Sequence, residues 1–134
     1  MKRLNVRSSR RGVSTVELAL ILPVLVLMLF GIIEFGTVFF VHHKMVLAAR
    51  DAARHVAVRG HTPAEAEAMA LGRLETIGAT FDVTVTEIPA LPAGDTDVNV
   101  TIEVPQNQVA FGLASGVLGD GVIRSQVTMR KEYQ

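Results

Sequence analysis

The chain has 134 residues, enough for one small domain plus an appendage but not for two domains. It holds 13 Lys+Arg against 13 Asp+Glu, yet five of the basic residues (Lys2, Arg3, Arg7, Arg10, Arg11) and no acid fall in the first 12 positions, leaving the rest at a formal −5. An acidic body argues against a nucleic-acid partner, the absence of cysteine excludes disulfides, thiolate metal sites and thiol nucleophiles, and 49% hydrophobic residues with only 5% aromatic ones point to a membrane segment.

The basic leader, residues 1–12, runs directly into that segment. From Leu18 to Ile33 the chain reads LALILPVLVLMLFGII, 16 residues without a charge, and from Leu18 to Val41 it has 24 residues with Glu34 as the one acid or base. As a helix these span about 36 Å, more than the roughly 30 Å of a bilayer's hydrocarbon core. The flanks set the orientation: a short, purely basic leader favours a cytoplasmic N-terminus and export of the C-terminal body. Val46-Leu47-Ala48 is a weak small-residue cleavage site, but it lies beyond an apolar run longer than a secretory signal core. Pro23 removes the hydrogen bond to the Ala19 carbonyl and predicts a bend, which membrane helices tolerate. Glu34 lies in the outer half of the apolar stretch, where a charge either faces a partner subunit or sits near the headgroups. Gly31 and Gly36 are not four apart and form no small-xxx-small dimer motif.

Past the span, no Gly or Pro interrupts the chain between His42 and Arg59, and Val46, Ala49, Ala53, Val56 and Ala57 recur at helical spacing. The spacing predicts one continuous membrane and stalk helix over residues 13–59. Arg50 and Arg54 lie on another side of it, either as a solvated face or against anionic headgroups. His42 and His43 are neighbours and point to different sides, so no metal ligand set is assigned.

The remaining residues, 60–134, predict a small α+β head. Thr62, Pro63 and Glu65 form a capping box with proline at the first turn. Ala66, Ala70, Leu74 and Ile77 make one apolar face, and Gly78 ends the helix. Three alternating runs follow: Phe81-Val83-Val85, Val98-Val100-Ile102-Val104, and Ile123-Val127-Met129. They predict an antiparallel sheet with one oily face covered by the preceding helix. A Pro/Gly-containing linker, residues 89–94, joins the first two strands. The stretch from Gln106 to Gly121 reads either as a loop tucking apolar residues under the sheet or as a contact surface. No Lys follows its glycines as a phosphate cradle requires. No catalytic constellation appears, since the acids are scattered and Ser115 has no base near it. Neither an enzyme activity nor a cofactor is expected.

The stretch RRGVSTVELALILPVLVLMLFGIIEFG, followed by MVLAARDAARHVAV, resembles the TadE-like pseudopilins of the tight-adherence (Flp-type) type IV pilus system over roughly residues 10 to 58. The carriers are the Gly12/Glu17 pair, Pro23, Glu34-Phe35-Gly36 and the stretch from Ala48 to Arg54. Thr128-Met129-Arg130-Lys131-Glu132 is also similar to how such proteins end. The resemblance implies a leader removed on the cytoplasmic side between Gly12 and Val13, and Glu17 as the residue for assembly. It implies a prepilin peptidase, other pilins or pseudopilins, an inner-membrane assembly platform and the lipid bilayer as partners. The implied location is single-pass in the inner membrane with a periplasmic head, with possible incorporation into the pilus.

The residues fit that chemistry. Glycine before the scissile bond has no side chain to clash in a protease cleft. Cleavage there would remove all five leading basic residues and expose an ammonium at Val13. Glu17 then stands about one helical turn away, and an ionised carboxylate at the membrane edge is costly unless paired, so it can dock another subunit's ammonium. The alternatives are an ordinary interfacial Glu17 and an uncleaved, signal-anchored envelope protein with a small periplasmic binding domain.

Overall fold

The computed structural model describes residues 10–58, 61–89, 96–110, 112 and 121–131, with side chains from residue 12 onward. The element order is α1 (Arg10–Ala57), α2 (Pro63–Leu74), β1 (Asp82–Pro89), β2 (Thr96–Pro105) and β3 (Val122–Arg130). The class is α+β, as expected. The chain divides into two compact units, one up to Ile33 and one from Glu34.

The first unit consists of helix alone. Every side chain described from Gly12 to Phe30 is exposed, including Leu20 at 73% and Leu27 at 60%. The helix runs through Pro23 without a break in its assignment. A helix apolar on all sides has no stable place in water unless other protein or lipid surrounds it. Nothing within this unit does so.

The second unit has a core. The part of α1 from Val41 to Ala57 buries Val41, Met45, Ala48, Ala49, Ala52, Ala53, Val56 and Ala57. The sequence stripe therefore needs correction: Val46 is half-buried, while Met45, Ala48 and Ala52 belong to the inward side. A second correction concerns the cover of the sheet, which α2 does not supply alone. The buried side of α1, the Ala66, Ala70 and Leu74 face of α2, and the inner face of the sheet form one hydrophobic cluster. Six of the buried α1 and α2 positions at 0–2% exposure are alanines, and these small side chains let backbones approach closely.

Helix α2 begins as its residues dictate. The Glu65 backbone N–H donates to Thr62 Oγ1 at 3.3 Å, and the Thr62 N–H donates to Glu65 Oε2 at 2.9 Å, with Pro63 at the first helical position. After Leu74 the helix tightens into a 3₁₀ turn, Glu75–Ile77. Gly78 then takes φ +75°, a left-handed conformation that glycine adopts at little cost.

The strands form an antiparallel sheet in the order β1-β2-β3. Val98, Val100, Ile102 and Val104 on the central strand are fully buried, each worth about 1.5–3 kcal/mol of transfer from water. Val85 pairs with Val100 and Val100 with Val127 in an apolar row of the inner face, while the exposed Glu87 stands opposite Val98 in the next. A buried polar residue on this face is Ser125 opposite Ile102, which is 4% exposed with an Oγ that has no hydrogen-bond partner among the described residues. The middle of the outer face is polar: Thr84, Thr101 and Gln126 lie in one row, and Thr86, Asn99 and Thr128 in the next. Ion pairs Glu103–Arg124 and Asp97–Arg130 flank these rows. On the β1 edge, Glu67 of α2 accepts the Val85 N–H at 3.2 Å, satisfying a donor that an edge strand otherwise leaves open. The 90–94 part of the linker, and residues 111 and 113–120 of the unassigned loop, lie outside the described residues. So do residues 1–9, Arg59, Gly60 and Glu132.

Candidate functional site

Helix α1 is described from Arg10, and the Gly12–Val13 bond and Glu17 lie near that end of it. A Cβ added at Gly12 would meet nothing within 4 Å. Packing against the described residues thus does not demand glycine here. Val13 is 66% exposed and Glu17 is exposed one turn further on.

The apolar helix over Gly12–Ala57 is long and apolar enough to cross a membrane, and none of its most apolar window is covered within the chain. Its length, composition and exposure suggest membrane anchoring. Pro23 lies within this exposed stretch. Glu34 differs from its neighbours: it is 4% exposed, between Ile33 at 49% and Phe35 at 63%, and an interaction within the chain engages it. The carboxylate is therefore covered by its own chain before any partner is considered. Glu17 and Glu34 belong to different units, so they do not form one site.

A third cluster was not assigned from the sequence. The His55 ring, in the last turn of α1, stacks on the His61 ring with centroids 3.8 Å apart and an angle of 28°. His61 Nδ1 lies 3.6 Å from Glu65 Oε2. Beside them the Arg73 guanidinium of α2 pairs with Asp51 of α1. The Glu65 carboxyl is held below the usual glutamate range, chiefly because the Thr62 backbone N–H donates to it. Sequence spacing misses this group, because its members lie on two helices and the turn between them. The one available signal is a histidine at each end of the predicted helix break.

Neither a curated protein nor a solved structure matches the chain. The family model for TadE-like proteins matches residues 12–54, and over that stretch the chain is similar to this family.

Proposed function

We propose that this chain is a TadE-like pseudopilin, a minor pilin that supports assembly of tight-adherence (Flp-type) pili. In this reading a prepilin peptidase at the cytoplasmic face cuts between Gly12 and Val13 and discards the basic leader. Residues 13–59 then anchor and carry a periplasmic head, residues 60–134. Assembly follows from charge. The new Val13 ammonium and the Glu17 carboxylate are each costly in apolar surroundings, and pairing between neighbouring subunits relieves both costs. The partners are other pilins or pseudopilins and the inner-membrane assembly platform, and the role is structural rather than enzymatic.

The observation that supports this reading best is an uncovered apolar helix that opens with RRGVSTVE inside the TadE-like match. The deciding measurement is the N-terminus of the protein purified from a strain with an active prepilin peptidase. The expected first residue is Val13, with the precursor retained in a Gly12→Leu variant. An intact Met1 would instead favour the uncleaved signal-anchored protein. Orientation is tested separately, by a periplasm-dependent reporter fused at Gln134, which is expected to be active.

A further inference from the structure

We infer that His55, His61 and Glu65 form a site for a divalent transition metal of the Zn²⁺ type, clipping the end of α1 to the start of α2. Each residue offers one ligand atom, and these atoms lie within 4.8 Å of one another. Two imidazole nitrogens and one carboxylate oxygen suit zinc and its first-row neighbours rather than Mg²⁺ or Ca²⁺, which favour all-oxygen sets. Three protein ligands leave a coordination position for water, and the side chains of His61 and Glu65, 41% and 57% exposed, leave room for it.

The carboxylate is already oriented for this role. Glu65 Oε2 takes the Thr62 backbone N–H at 2.9 Å, and hydrogen bonding of a ligating carboxylate by an outer donor is the usual way such a ligand is fixed. The histidines need a rearrangement, because stacked rings do not aim their lone pairs at a common point. Ligand atoms around tetrahedral zinc lie about 3.3 Å apart. The metal therefore draws the three atoms in by roughly 1.5 Å and unstacks the rings, motions within side-chain rotation.

The surroundings set the strength. Asp51 neutralises Arg73, but Arg54 also lines the depression in which the histidines sit. That charge opposes a cation, so micromolar rather than nanomolar affinity is expected. His55 and Glu65 are ten positions apart, and the bridge closes the chain between the two helices, fixing where α2 starts relative to the end of α1. This inference does not depend on the pilus reading.

The test uses the full chain in detergent micelles without a polyhistidine tag, titrated with ZnCl₂ by calorimetry and with CoCl₂ by visible absorption. One equivalent should bind, and the imidazole proton resonances of His55 and His61 should lose their stacked shifts. His55→Ala and His61→Ala should each weaken binding at least tenfold. Glu65→Gln should weaken it about tenfold while leaving α2 intact, because glutamine also completes a capping box. Unchanged affinity in all three variants, or a loss confined to His42→Ala or His43→Ala, would overturn the site, as would no binding below millimolar zinc.

Discussion

The stretches of α1 on either side of Ile33 share a helical backbone but obey different rules. Before Ile33 the apolar residues occupy every side, from Val13 to Leu29, and none is covered by the chain. After Glu34 they segregate: Val41, Met45, Ala49, Ala53 and Val56 are buried, while Phe39, Phe40 and Leu47 are not. A helical stripe carries information where two environments meet along one helix, as they do in the second stretch. In the first, one apolar environment on all sides needs no stripe, only composition. Size follows the same division. Five of the eight buried apolar side chains of the second stretch are alanines, whereas the first carries large apolar side chains on all sides.

Three sets of substitutions test that division, beginning with the largest effect. In the first stretch the one acid is Glu17, and the proposed assembly role requires its charge to meet an ammonium away from water. Losing one member of such a buried pair costs about 3–5 kcal/mol. Glu17→Ala should still be cut at Gly12 and still insert, but should fail to restore pili, with Glu17→Asp intermediate. Precursor cleavage on gels and surface pili by microscopy, followed in the same strains, separate the two steps. Normal piliation with Glu17→Ala would make the carboxylate merely interfacial.

Next come two exposed leucines, Leu25 at 55% and Leu47 at 42%. If lipid surrounds the first stretch, Leu25→Asp costs about 2.5–3.5 kcal/mol of insertion and shifts the protein out of the membrane fraction. Leu47→Asp lies past the span, and its effect on stability should stay within about 0.5 kcal/mol. Equal behaviour of the two would abolish the distinction. Two alanines make the converse pair. Ala53 is 0% exposed, so Ala53→Leu overpacks the core and should destabilise the second unit by about 1–3 kcal/mol. Ala19 is exposed, and Ala19→Leu should leave thermal unfolding of the same chain unchanged.

The sequence makes legible whatever depends on local periodicity. The apolar run, the Thr62/Glu65 capping box, the Gly78 stop and the alternation of the three strands each need only neighbours along the chain. Contacts between distant segments are less legible. Alanines read as helix formers before they read as core, so the inward side of α1 emerges only when Met45 and Ala52 meet the sheet. Ser125 escapes notice for the same reason, since its place opposite Ile102 is a matter of register. Gly12, Val13 and Glu17 are legible as a motif, and the roles proposed for them involve a peptidase and a neighbouring subunit rather than packing among the described residues. Glu34 is the reverse case: the sequence marks it as anomalous, and only the fold shows that it is covered.

The smallest expected effect concerns the boundary at which α2 begins. Thr62 and Glu65 satisfy each other's backbone N–H groups, and loss of such a cap costs about 1 kcal/mol. Thr62→Ala should therefore lower the stability of the second unit by that amount, and Glu65→Gln by less, because the amide oxygen can still accept. The pH dependence separates charge from hydrogen bonding. The Thr62 N–H holds the folded Glu65 carboxyl below its usual value, so its stabilising contribution is complete above that value and fades as pH falls through the lowered one. The acid limb of the unfolding profile, below about pH 4.5, should then be slightly shallower in Glu65→Gln than in the native chain. Identical acid limbs would mean that the cap works through geometry alone, with the carboxylate's charge contributing nothing to the start of α2.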